Sequence, residues 1–153
     1  APPASSSQFR ISKEIMTLQG NRVDLDNVQR SDRMVVRLIL SPEQRRTNPM
    51  IVEDLLPAGF EIEAILKYED GLDAQGAFFW VGNIATPNVS EARDNRFVAA
   101  IDVRNEPVTL AYVVRAVTPG EFALPGAVTE DMYRADVFAR SDSQTVTISG
   151  DEG

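Results

Sequence analysis

Phe60-Glu61-Ile62-Glu63-Ala64-Ile65-Leu66-Lys67 alternates apolar and charged residues over most of its length. Phe60, Ile62, Ala64 and Leu66 fall on one side of an extended chain and Glu61, Glu63 and Lys67 on the other, with Ile65 the exception. Period two marks a strand that buries one face, because successive Cβ atoms point to opposite sides of the pleat. Three further rows repeat the pattern: Met34, Val36, Leu38 and Leu40; Phe97, Ala99, Ile101 and Val103; and Val108, Leu110, Tyr112, Val114 and Ala116. The first also carries Val35 and Ile39 on its other side, as a central strand would.

Shorter strand candidates are Phe9 to Met16, Val23 to Leu25, Met50 to Leu55, Phe122 to Leu124, Tyr133 to Arg140 and a closing Thr145 to Ile148. Turn formers separate these runs: Gly20-Asn21, Ser41-Pro42, Pro57-Ala58-Gly59, Asp70-Gly71, Asn105-Glu106-Pro107, Thr118-Pro119-Gly120 and Pro125-Gly126. Strand after strand with little helix means an all-β sandwich or barrel. One segment breaks the rhythm. From Asp73 to Pro87, Phe79 or Trp80 with Asn83 and Ile84 would line one face of a short helix stopped by Pro87. Gly76 and Gly82 each oppose that helix by about 1 kcal/mol relative to Ala.

The chain has 153 residues, of which 43% are apolar and 25% charged, which describes one globular domain with a real core. Ala1 to Gln8 is Pro, Ala, Ser and Gln, read as a linker or trimmed end; residues 150–153 read as a disordered tail and 9–149 as the domain. There is no Cys and no His. A thiol nucleophile, a disulfide, a zinc site of nitrogen and sulfur ligands and an imidazole base are therefore all excluded within this chain. Fifteen basic against twenty-three acidic residues leave a net charge of −8, a poor match for nucleic acid or an anionic membrane. No apolar run approaches the roughly 18 residues of a membrane span, and no cofactor is implied.

Without His, carboxylates are the available acids and bases. Asp24 and Asp26 alternate on one candidate strand, and Glu69, Asp70 and Asp73 surround Gly71. Neither set has calcium-loop spacing, so both read as surface turns and no metal is expected. Glu91-Ala92-Arg93-Asp94-Asn95-Arg96-Phe97 is the densest charged run. It reads either as a recognition patch or as ion pairs, Arg93 and Arg96 with Asp94 or Glu91, that fix how the insertion enters the sheet. Glu130-Asp131-Met132-Tyr133 places a Met and a Tyr beside two acids at the start of a candidate strand. That pair reads first as core packing; on a loop, a thioether beside an amphipathic ring is suited to covering a neighbour's reactive group. Trp80 and Phe78-Phe79 pose the same choice, with burial under the insertion expected.

Four segments in this order resemble the last macroglobulin-like domain of bacterial alpha-2-macroglobulins: Val52 to Glu61 (VEDLLPAGFE), Glu91 to Ala100 (EARDNRFVAA), Tyr112 to Gly120 (YVVRAVTPG) and Glu130 to Arg134 (EDMYR). The resemblance implies an antiparallel immunoglobulin-like sandwich of macroglobulin type with a short helical insertion. It implies a place at the C-terminus of a large periplasmic protease-trapping protein, with lipid anchoring of the parent chain left open. In that family a protease cuts a bait region, and an internal thioester between Cys and Gln side chains captures it. Bait and thioester would lie outside this chain, in neighbouring domains of the same parent. The last domain packs against the thioester domain, where Met132 and Tyr133 would supply part of its cover. Animal relatives bind a clearance receptor through helix lysines, but the lysines here, Lys13 and Lys67, stand outside the expected helix. The family text has Arg-Asp-Asp-Arg where Asn95 replaces the second Asp.

Two readings from different classes follow. One is a non-enzymatic domain of a protease inhibitor that contacts its own parent chain, with host or foreign proteases reached only through the full-length protein and no direct membrane contact. The other is a free-standing adhesion or glycan-binding sandwich with Trp80, Phe78 or Tyr68 as a platform. A carboxylate enzyme stands third.

Overall fold

The computed structural model describes residues 5–93 and 95–150. Its strands are β1 (Ser5–Ser7), β2 (Phe9–Thr17), β3 (Val28–Gln29), β4 (Arg33–Pro42), β5 (Asn48–Leu55), β6 (Phe60–Ile65), β7 (Val89–Arg93), β8 (Arg96–Val103), β9 (Val108–Ala116), β10 (Gly120–Leu124), β11 (Val128–Asp131), β12 (Phe138–Arg140) and β13 (Gln144–Ser149). They form a six-stranded sheet β1-β12-β11-β5-β8-β7, a four-stranded sheet β2-β4-β9-β6 and a three-stranded sheet β10-β13-β3. Pairing is antiparallel except for the short β13–β3 contact. The architecture is an all-β immunoglobulin-like sandwich.

The apolar rows meet in one core. Met34, Val36, Leu38 and Leu40 of β4 join Phe97, Ala99, Ile101 and Val103 of β8 and Leu110, Tyr112, Val114 and Ala116 of β9. β4 is central, between β2 and β9, and its other face is used as well. Val35 of β4 packs with Leu66, Val81, Ile84, Ala111 and Val113 in a second, smaller core under the insertion.

A β-bulge between Ile62 and Ala64 explains the exceptional Ile65. One extra residue reverses the parity of a strand beyond it. Phe60, Ile62 and Ile65 therefore face the main core, Ala64 is exposed, and Leu66 enters the smaller one. Glu63 at the bulge reaches Arg33 at 2.7 Å and Arg115 at 3.8 Å. Those two arginines are register partners on β4 and β9, so the glutamate offsets a repulsive cross-strand pair.

The helical insertion begins earlier than its expected range of Asp73 to Pro87. A one-turn helix α1 spans Tyr68–Leu72, and Phe79–Val81 forms a 3-10 turn ended by Gly82 at φ 90°. Asp70 starts α1 by accepting a hydrogen bond from the Lys67 N–H at 2.7 Å. Gly71 lets α1 sit on the 3-10 turn, since a Cβ there would lie 1.8 Å from the Gly82 carbonyl oxygen.

Other boundaries shift too. Val23 to Leu25 is not a strand, and Asp24 heads a turn instead, accepting hydrogen bonds from the Asp26 N–H and the Asn27 amide. Of the candidate strand Tyr133 to Arg140, only Phe138–Arg140 is extended. Within the arm expected over residues 1–8, Ser5–Ser7 pair with β12. Residues 1–4 and 151–153, like Asp94, lie outside the described residues.

Candidate functional site

Met132 and Tyr133 do not start a strand. They follow the end of β11 in a loop whose five residues 132–136 are all exposed, between buried Asp131 and buried Val137. Met132 is 50% and Tyr133 82% exposed, so the core-packing reading of the pair is overturned. The cause lies next door in sequence. Asp131 occupies the core-facing phase of β11 with Thr129, and its side chain turns back to hold the loop. One carboxylate oxygen accepts hydrogen bonds from the backbone N–H groups of Tyr133 (2.8 Å) and Arg134 (3.0 Å). The other accepts from the side-chain amide of buried Asn48 at 2.7 Å. The Met132 N–H donates to the Pro49 carbonyl at 2.8 Å, and Val137 closes the base by donating to the Arg134 carbonyl at 3.0 Å. A mobile loop would hide its Met and Tyr on any available surface. This one is tied at the backbone and leaves both side chains exposed.

A second polar cluster lies inside the sandwich. Lys13 of β2 donates from Nζ to Asp54 of β5 at 2.7 Å and to the Pro125 carbonyl at 3.0 Å. The Tyr112 hydroxyl of β9 donates to the other Asp54 oxygen. The Lys13 side chain is 5% exposed and that of Asp54 0%. Burial pushes the Asp54 carboxyl above its ordinary 3.8, against the opposing pull of the Lys13 charge and of the hydrogen bonds from Lys13 and Tyr112. Burial, with Asp54 alongside, also drives the Tyr112 hydroxyl well up. Tyr112 stacks on Phe97 across the sandwich at 4.8 Å between ring centroids. Sealed in this way, the cluster joins the two large sheets and presents nothing to a substrate. Its signal in sequence was phase: Lys13 falls in register with Phe9 and Ile11, and Asp54 with Met50 and Val52.

The family described as the bacterial alpha-2-macroglobulin MG10 domain matches residues 9–136. The chain belongs to the bacterial alpha-2-macroglobulins. Alpha-2-macroglobulin of Escherichia coli is 33% identical over 142 residues, covering 87% of this chain and 8% of that protein. The structure of Salmonella alpha-2-macroglobulin reacted with methylamine superimposes with a TM-score of 0.84 at 32% identity, over 97% of this chain and 10% of the other. A native Escherichia coli alpha-2-macroglobulin fragment from domain MG7 to the C-terminus gives 0.84 at 30% identity, over 97% of this chain and 24% of the fragment. This macroglobulin domain thus spans under a tenth of the length of the Escherichia coli protein.

The four family-like segments fall on the end of β5 with its turn into β6, the β7–β8 hairpin, β9 with its exit turn, and the end of β11 with the Met132–Tyr133 loop. The hairpin turns between register partners Arg93 and Arg96, with Asn95 at φ 63°, a left-handed conformation that Asn tolerates better than most residues. Arg93 pairs with Glu91 at 3.5 Å, whereas Arg96 reaches across to Glu53 of β5 at 3.3 Å. All four side chains are well exposed, so these pairs contribute little. The aromatics of the insertion serve mainly as anchors. The Trp80 indole N–H donates to the Leu18 carbonyl at 2.9 Å, its ring lies against Gly20, and the Arg37 guanidinium sits 5.6 Å from its centroid. Phe78 packs beside it, leaving Phe79 and Tyr68 as the exposed rings.

Proposed function

We propose that this macroglobulin domain is a non-catalytic cover for the thioester of its parent chain. It packs against the thioester domain through Met132 and Tyr133 and keeps water and amines away until the bait region is cleaved. The observation that carries this reading is the anchored loop, which presents a thioether and an amphipathic ring with their backbone already fixed. An apolar lid of that kind slows hydrolysis by excluding the nucleophile from a reactive acyl group. Reaction of the Salmonella relative with methylamine supports an amine-sensitive centre in the parent protein. The match within a fragment running from MG7 to the C-terminus supports a position in the C-terminal part of that parent. Its partners are the thioester and neighbouring macroglobulin domains, and proteases meet it only through the full-length inhibitor, in the periplasm.

The test is methylamine inactivation of the full-length protein carrying Met132→Ala or Tyr133→Ala. Faster inactivation is expected in both variants, more so for Tyr133→Ala, because the larger and more exposed ring covers more surface. Rates equal to wild type in both would end the lid reading.

A further inference from the structure

The anchor of the lid loop does not end at Asp131. A carboxylate can turn about its own bond, so the oxygen that holds Tyr133 and Arg134 stays aimed at the loop only if the other oxygen is fixed. Asn48 fixes it, from the first position of β5, with its Nδ2 at 2.7 Å. Asn48 is 1% exposed, and its own side chain is oriented in turn. Its Oδ1 accepts a hydrogen bond from the Gln44 side-chain amide, and the Gln44 side-chain Oε1 accepts from the Arg46 backbone N–H. Gln44 and Arg46 stand in the connection between β4 and β5, with exposed neighbours Glu43 and Arg45.

These bonds form a head-to-tail series. Arg46 N–H donates to Gln44, the Gln44 amide donates to Asn48, the Asn48 amide donates to Asp131, and Asp131 accepts from the loop. Each primary amide offers one acceptor and one donor side, so the direction of the series sets which way Asn48 faces. Head-to-tail hydrogen bonds polarise one another, and this series ends on a carboxylate, the strongest acceptor in it. Ala at position 48 would leave the second Asp131 oxygen buried without its partner. Asp at that position would set two carboxylates face to face.

From this geometry we infer that Asn48, backed by Gln44, is a positioning residue for the Met132–Tyr133 lid. An amide relay that starts in the β4–β5 connection sets the pose of a loop distant in sequence. The inference rests on the lid reading above for its function, and on the hydrogen bonds alone for its structure.

Two readouts in the full-length protein separate these. The first is amide hydrogen exchange over residues 132–137. Asn48→Ala and Gln44→Ala should speed exchange at Tyr133 and Arg134 by about tenfold, the factor for about 1.4 kcal/mol, whereas Tyr133→Ala should not slow or speed Arg134. The second is methylamine inactivation of Tyr133→Ala, Asn48→Ala and the double variant. If Asn48 acts through the lid, Asn48→Ala is faster than wild type and the double variant no faster than Tyr133→Ala. General destabilisation would instead multiply the two factors. Gln44, only half-buried, supplies the milder variant should Asn48→Ala fold poorly. Unchanged exchange at Tyr133 and Arg134 in both relay variants overturns the relay whatever the inactivation rates, and multiplied factors overturn its action through the lid. Wild-type inactivation in Tyr133→Ala, with faster exchange in Asn48→Ala, overturns the lid reading and upholds the relay.

Discussion

Asp54 and Asp131 are both buried aspartates that use both carboxylate oxygens, yet they shape opposite kinds of surface. Around Asp54 the partners are side chains from β2 and β9, so the bonds close across the sandwich and everything they touch is interior. Asp131 takes one partner from the interior and two from the backbone of an exposed loop. The first arrangement costs desolvation that its pairing must offset; the second spends a buried carboxylate on holding outward a Met and a Tyr that would otherwise collapse. Interior polar groups in this domain therefore serve two ends, joining sheets and holding an exposed loop. The distinction is whether the acceptor meets side chains or main chain.

The largest effect should come from breaking the sheet-joining cluster. Lys13→Ala is expected to destabilise the domain by about 3–5 kcal/mol, measured by urea unfolding, because Asp54 is left buried without its counter-charge. Replacing the cluster as Lys13→Met with Asp54→Leu and Tyr112→Phe should recover most of that loss, since a well-packed apolar substitute for a buried ion pair is often neutral or stabilising and no hydroxyl is left unpaired. The same cluster predicts a pH dependence. Because burial raises the folded Asp54 carboxyl above 3.8, its contribution is full below that value and is lost as pH rises through the raised one. The stability of wild type relative to Asp54→Asn should therefore fall as pH rises through that range, because only the wild-type carboxyl ionises in the buried site. A relative stability that climbs with pH would reverse the assignment.

Next in size is Asp131→Ala, expected to cost about 1–3 kcal/mol through the loss of a buried acceptor and the orphaned Asn48 amide. If it matches Lys13→Ala, the contrast between the two aspartates is not energetic. The smallest effect belongs to Tyr133→Ala, which should change unfolding stability by less than about 0.5 kcal/mol, as for an exposed side chain with no core contact. A loss of 2 kcal/mol or more there would show the ring packing on its own domain rather than waiting for a partner.

Most of the sandwich was readable because alternation survives wherever a strand has one dry face. The four long rows occupy β4, β6, β8 and β9, and the central place of β4 followed from Val35 and Ile39. What escaped was whatever broke parity or crossed the sandwich. The bulge after Ile62 reassigned Ala64, Ile65 and Leu66, and no local residue announces a bulge. The insertion was found, but its helix formed before Asp73, where Asp70 caps a turn, while Gly76 and Gly82 kept the expected stretch from continuing as an α-helix. The pair Met132-Tyr133 was legible and its exposure was not, because the loop is held by Asp131, which in turn bonds Asn48, 83 positions upstream. Lys13 and Asp54 share the phase of buried apolar residues on their strands, a signal the sequence reading did not use, and only their meeting across two sheets shows why they are tolerated.

The bulge in β6 has a further consequence, for how this domain can change over time. Because one strand feeds both cores, its parity couples the sandwich to the insertion above it. Pairing the strand regularly through Glu63 without removing a residue would turn Leu66 out from under the insertion and Ile65 away from the main core in the same step. Exchange of the insertion as a unit is thus constrained at this point by a count of residues rather than by their kind, and relatives with a different cap should be expected to alter the bulge along with it.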